Sequence, residues 1–221
     1  MFRPVLAAAM TLALAAGAVG LANSQPSPPP GPSKDPAAAP AGDYVLDKMH
    51  ASVIAHAKHL GLSNFAMRFN TVDASFSYDP KNPAATKVTA SVDATSVDVG
   101  PQMYHDAQSG EDMTLNQHFV KQRDIAGGSK TPVATFVSKS INPGADGKGT
   151  MTGDLTLNGV TKPVTFNVVY SGSMAMGPAQ RMGFSATTTI KRSDFGVASY
   201  LPAFAVGDDV ALNVEVEFVK Q

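Results

Sequence analysis

Cysteine is absent from all 221 residues. That excludes a disulfide framework, thiol catalysis and an anchor built on a lipid-modified N-terminal cysteine. A surplus of charge is lacking too. The chain has 17 Lys plus Arg against 18 Asp plus Glu, formally −1, and losing Arg3 with a leader makes it −2. Such a balance gives no electrostatic pull toward nucleic acid or an anionic membrane, so no nucleic-acid partner is expected. Catalytic signatures are missing as well. There is no His-Glu-x-x-His, no Gly-x-Ser-x-Gly and no Gly-Lys-Thr phosphate loop, and Asp194-Phe195-Gly196 stands without the other kinase segments. His56 and His59, three apart on a predicted strand, point to opposite faces and cannot grip one ion. No metal and no cofactor is expected. A hydrolase or isomerase pairing Asp194 with His59 is the one catalytic reading left.

What is present begins with an apolar run, Val5 to Leu21, behind the single charge of Arg3 and ahead of Ala22-Asn23-Ser24. The run falls short of the roughly 20 residues that span a bilayer. Residues 1–24 read as a secretory signal peptide, and a bacterial periplasm as the destination, with no membrane span left after cleavage. Residues 25–42 are dense in Pro and Ala, a composition that builds no core, and are expected to form a disordered tether. The folded domain is then 43–221.

That domain repeats one pattern. Around Asn158-Gly159, Met151, Leu155 and Leu157 alternate with Thr152, Asp154 and Thr156, and Val164, Phe166, Val168 and Tyr170 alternate with Thr165 and Asn167. Two-residue alternation flanking Asn-Gly predicts an antiparallel hairpin with one wet and one dry face. Pro163, lacking an N–H, is expected at the start of the second arm, outside the ladder. Similar strands are predicted at 44–47, 52–60, 65–79, 87–99, 132–141, 182–191 and 209–218. The parity change between Phe69 and Val72 predicts a β-bulge. Pro101 to Gly128 loses the alternation, and a short helix near 112–122, capped by Asp112, is expected there. A flexible loop is expected over Gly172 to Arg181. The fold class is all-β, an antiparallel barrel of about eight strands with one short helical insertion.

A barrel of that size is either filled by its side chains or holds one small ligand. Small inward residues (Ala55, Ala57, Ala74, Ala90, Ala94, Gly153, Ala186) argue for space. The expected ligand-contacting wall is Ala55, Met67, Phe69, Phe76, Phe136, Met151, Leu155, Phe166, Phe184, Leu212 and Val214. A portal is expected from Met113, Leu115 and Phe119 on the helical insertion, with the Met174 and Met176 loop. Against this stands a solid-barrel interaction module that engages a membrane redox partner or a stress-response complex.

Tyr44-Val45-Leu46-Asp47 with His50, Lys58-His59-Leu60-Gly61, Asp112-Met113-Thr114-Leu115 with His118-Phe119, and Thr131 to Phe136 form a series of motifs. It continues with Gly153 to Val164, Gly183-Phe184, Arg192-Ser193-Asp194-Phe195-Gly196 and Val206-Gly207-Asp208. In combination the series resembles the YceI-like family of bacterial lipocalin-like barrels. The resemblance implies an exported, non-enzymatic protein, often a homodimer, holding a polyisoprenoid or another lipid chain in its interior.

Overall fold

A computed structural model describes residues 31–107, 109–121, 133–201 and 205–221. The signal peptide expected over 1–24, and the start of the tether, lie outside the described residues.

Among the described residues, twelve strands and one α-helix follow in order: β1 (Gly42–His59), β2 (Ser63–Phe69), β3 (Val72–Tyr78), β4 (Lys87–Asp93), β5 (Val97–Asp98), β6 (Met103–Asp106), β7 (Glu111–Thr114), α1 (Leu115–Lys121), β8 (Val133–Pro143), β9 (Lys148–Leu157), β10 (Val160–Met176), β11 (Ala179–Lys191) and β12 (Val206–Lys220). Every pairing is antiparallel. The order β12-β11-β10-β9-β8-β4-β3-β1 closes on itself because β12 also pairs with β1. The result is an eight-stranded closed barrel, as the alternation requires, and closure leaves no long edge among those eight strands.

The central hairpin shows why. Asn158 and Gly159 take φ of 53° and 76°, the positive values of a tight hairpin turn. On its wet face, Thr152 meets Thr165 and Thr156 meets Thr161, both hydroxyl pairs at 2.8 Å. Pro163 does lie within the β9 ladder, opposite Asp154, contrary to expectation. It is tolerated because β11 joins β10 only from Asn167 onward, so no neighbour asks for its missing N–H.

The parity break at Phe69 is where β2 gives way to β3. Both pair with β1, β2 against Val53–His59 and β3 against Gly42–Val45. Between them the N–H groups of Asn70 and Thr71 turn to Ser96. The strands expected separately at 44–47 and 52–60 are one strand, β1, interrupted by a register shift between Leu46 and Ala51. Polar side-chain contacts hold that irregularity: Arg181 forms ion pairs with Asp47 and, at 3.2 Å, with Glu217, and the His50 ring hydrogen-bonds Asp47 at 2.9 Å.

Three other expectations need correction. Gly172 to Arg181 is not a loose loop, since β10 and β11 pair as far as Met176 and Ala179. The helix is capped by Thr114, not Asp112. The Gln117 N–H donates to Thr114 Oγ1 and the Thr114 N–H donates back to Gln117 Oε1 at 2.8 Å, a capping box, while Asp112 sits in β7 beside His105. The tether expected over 25–42 is, from residue 31, part of the folded unit. Ser33 pairs with Ser173, and Asp35 caps a 3-10 turn at Pro36–Ala38. Proline density does not prevent docking where an aromatic surface lies underneath.

The interior divides into two clusters. One, at the end that carries α1, gathers Ala55, Ala57, Phe136, Leu155, Phe166, Ile190 and Phe195. The other, beneath the N-terminal segment, gathers Tyr44, Leu46, Phe76, Tyr78, Tyr170, Met182 and Phe218.

Candidate functional site

Between these clusters the barrel is not filled. A cavity of about 870 Å³ runs through it, with a wall that is overwhelmingly apolar. The wall is built by alternation. On β1, Val53, Ala55 and Ala57 face inward, with Met67 and Phe69 beside them on β2, and β12 contributes Val210, Leu212, Val214, Val216 and Phe218. Alanine at Ala55, Ala74, Ala90 and Ala186 recesses the wall where larger side chains would meet across the lumen. Gly153 works differently. A Cβ there would lie 2.5 Å from the tip of Phe136 and 2.4 Å from the Val137 carbonyl oxygen, so the space it leaves is already taken by the Phe136 ring.

Of the expected contact and portal residues, Ala55, Met67, Phe69, Phe76, Leu115, Phe119, Phe136, Met151, Leu155, Phe166, Phe184, Leu212 and Val214 all lie on the cavity wall. Met113 does not. It is buried in the β6–β7 hairpin, a pairing that the broken alternation concealed. Met174 and Met176 also stay outside the wall. They lie on the β10–β11 hairpin at the end opposite α1, where Met174 pairs with Arg181, so the expected two-part portal is not assembled. At the α1 end, β4 stops at Asp93 and leaves the edge of β2 uncovered by it. The insertion fills that gap: Phe119 stacks on Phe65 at 5.5 Å, and Leu115, Tyr104 and His118 join the wall.

Sequence reasoning missed several wall residues. Val216 and Phe218 continue the β12 alternation, and Tyr78 and Tyr170 continue those of β3 and β10, so the signal was present. Pro36 carried no such signal. Tyr44 is fully buried at the end of the barrel, and burial, with Tyr170 and Tyr78 nearby, pushes its phenol up to about 12. Burial also raises Tyr78 and Tyr170, the latter offset in part by Ser173.

Arg192 closes the α1 end. Its guanidinium is buried and donates to the carbonyls of Gly207 (2.9 Å), Val197 (3.0 Å) and Val206 (3.0 Å). Burial holds its pKa below the usual arginine value, against the pull of Asp208. Asp208 in turn accepts from the Ser193 N–H and hydroxyl at 2.9 Å, and Gly196 ends the turn with φ of 72°. The Arg-Ser-Asp-Phe-Gly run is thus a structural corner. Among the described residues no hydrogen bond or ion pair joins Asp194 to His59. His59 faces the cavity with Ala57, whereas Asp194 does not line it. Asp47, His50 and Glu217 could group around a cation, but Arg181 already engages both carboxylates.

A closed antiparallel barrel around an apolar lumen is the architecture of the lipocalin-like barrels. The comparisons narrow the class. A profile of the YceI-like domain matches residues 44–218. A UPF0312 protein of Shewanella sp. (strain ANA-3) is 38% identical over 191 residues, covering 84% of this chain and 92% of the relative. One from Pseudomonas aeruginosa (strain LESB58) is 38% identical over 186 residues, covering 82% and 88%. Among solved structures, Burkholderia cenocepacia BcnA superposes with a TM-score of 0.62 at 26% identity, over 78% of this chain and 98% of that one. A polyisoprenoid binding domain from Saccharophagus degradans gives 0.56 at 14% identity, over 80% and 98%, a likeness of fold. This chain belongs to the YceI-like family.

Proposed function

We propose that the protein is an exported carrier that holds a long-chain isoprenoid, or an amphiphile of similar shape, inside its barrel. The cavity is the observation that supports this reading. Its volume of about 870 Å³ lies in the range of small-molecule sites, roughly 300–1,000 Å³. Ligand contact with such a wall contributes about 0.8 kcal/mol per buried methylene, so ten contribute roughly 8 kcal/mol before ordering costs. The leader-like start of the chain supports a periplasmic location, and among the described residues no helix is long and apolar enough to cross a membrane. The wall is overwhelmingly apolar packing surface, which favours binding without turnover; a homodimer is the expected assembly. The solid-barrel interaction module loses its premise, because the lumen is not solid.

Calorimetric titration of lipid-stripped protein with geranylgeraniol tests the proposal. Saturable binding with a negative heat-capacity change is expected, and Ala186→Phe, which puts a ring into the lumen, should abolish it while the barrel stays folded. Absence of saturable binding to the unsubstituted protein would reject the carrier reading.

A further inference from the structure

The N-terminal segment is fitted to one end of the barrel by contacts along its length. Ser33 and Ser173 exchange backbone hydrogen bonds of 2.8 and 2.9 Å, and Lys34 donates to the Ser171 carbonyl. Asp35 accepts from the Ala37 N–H at 2.9 Å and sets the 3-10 turn. Two barrel tyrosines then reach out to it. Tyr78 donates to the Pro36 carbonyl at 3.0 Å and Tyr44 to the Pro40 carbonyl at 2.7 Å. Ala39 is only 1% exposed, and Pro36 is itself part of the cavity wall. The barrel makes room for the segment at Gly172, whose φ is +128°. A Cβ there would lie 2.9 Å from Pro32 Cβ and from the Ser33 oxygen, so glycine meets both the backbone angle and the close approach. Residues 31–43 lie outside the stretch that the family profile covers, 44–218.

Both ends of the lumen carry exposed wall residues, but the described N-terminal segment lies across one of them. At the α1 end the wall includes exposed Lys58, His59 and Tyr200. At the other end Tyr44 and Met182 are buried beside the segment, at 0% and 1% exposure, and the wall runs from Pro36 to the exposed turn residues Asn142, Pro143, Gly144 and Lys148.

We infer that residues 33–40 are a length stop: through Pro36, held by Tyr78, they form part of the floor of the cavity and limit how far a chain runs into it. The inference rests on the carrier reading and deepens it to a specificity. A tail enters at the α1 end, runs past Met67, Leu155 and Leu212, and ends against Pro36 and Tyr78. Isoprene units beyond that length stay in water and gain no burial. The segment does this with backbone carbonyls and proline rings, so it selects by length and not by head group.

Two measurements test it. Dissociation constants for geranylgeraniol and for the much longer solanesol are compared in the intact protein and in a variant lacking residues 31–41. The intact protein should bind the two alcohols about equally, because the extra units of solanesol gain no burial, and the variant should prefer solanesol by about tenfold or more, a ratio that affinity measurements resolve easily. An unchanged preference would overturn the length stop while leaving the carrier reading intact. If neither protein binds either alcohol, the carrier reading fails and the length stop fails with it. The second measurement uses the intact protein alone, which covers a variant that does not fold. A geranylgeranyl chain carrying a diazirine at its tail end should label residues 33–40 or Tyr78. Label confined to 58–65 and 115–121 would reverse the orientation and overturn the inference.

Discussion

Gly153→Ala is the substitution whose cost the geometry fixes most directly. The new methyl would sit 2.4 Å from the Val137 carbonyl oxygen and 2.5 Å from Phe136 Cζ. These two neighbours differ in what they can yield. Phe136 borders the cavity, so its ring can swing into open space at little cost. Val137 belongs to β8, paired with β9 through this stretch, and its carbonyl can move only by prying the strands apart. Overpacking of this kind costs typically 1–3 kcal/mol, and the backbone contact places Gly153→Ala near 2 kcal/mol. Urea denaturation would show it as a lower midpoint with an unchanged slope, or a melting point lower by roughly 4–8 °C for a chain this long. A second variant separates the contacts. Phe136→Leu removes the ring but leaves the carbonyl, so it should relieve only a small part of the Gly153→Ala penalty in a double-mutant cycle. Full relief would refute the claim that the β8 backbone sets the cost.

Arg192→Met should destabilise the barrel by about 3 kcal/mol, because three buried carbonyls lose a charged donor; a denaturation midpoint unchanged from the native protein would contradict this. Tyr44, raised to about 12, has its folded value above the ordinary tyrosine value of 10.0. Its stabilisation is therefore complete below pH 10 and is lost as pH rises toward 12, of order 2 kcal/mol, and midpoints followed across that window in native protein and in Tyr44→Phe should diverge accordingly. Asp47 is held well below the usual carboxylate range by Arg181 first and then His50. Its contribution is present above an unfolded value of about 4 and is lost as pH falls below that. Asp47→Asn should cost about 1 kcal/mol at neutral pH and flatten the acid limb of the stability curve.

The barrel could be read from sequence because its signal is local. Alternation at Val164, Phe166, Val168 and Tyr170, and again from Val210 to Phe218, assigns each side chain a face, and Asn158-Gly159 assigns a turn. The cavity wall followed from the same parity. What local pattern does not carry is pairing distance. Nothing in residues 101–114 announces that Met103 faces Thr114, so Met113, expected at a portal, belongs instead to a small hairpin core. Met174 and Met176 have the right chemistry for a portal but occupy the far end, a matter of which strand end meets which. Pro36 was hidden for the opposite reason. Its composition predicts an unstructured chain, and only the aromatic end of the barrel, assembled from Tyr44, Tyr78 and Tyr170, gives it a place to dock. Thr114-x-x-Gln117 is the exception, a capping signal that was legible in four residues.

The proposed carrier function requires that the lumen be occupied in the cell. Native mass spectrometry of protein purified from the periplasm, followed by solvent extraction, measures that directly. A carrier should show a mass above that of the bare chain, lost on denaturation, with a single-tailed lipid recovered in the extract. A bare mass, together with an extract free of lipid, would contradict it.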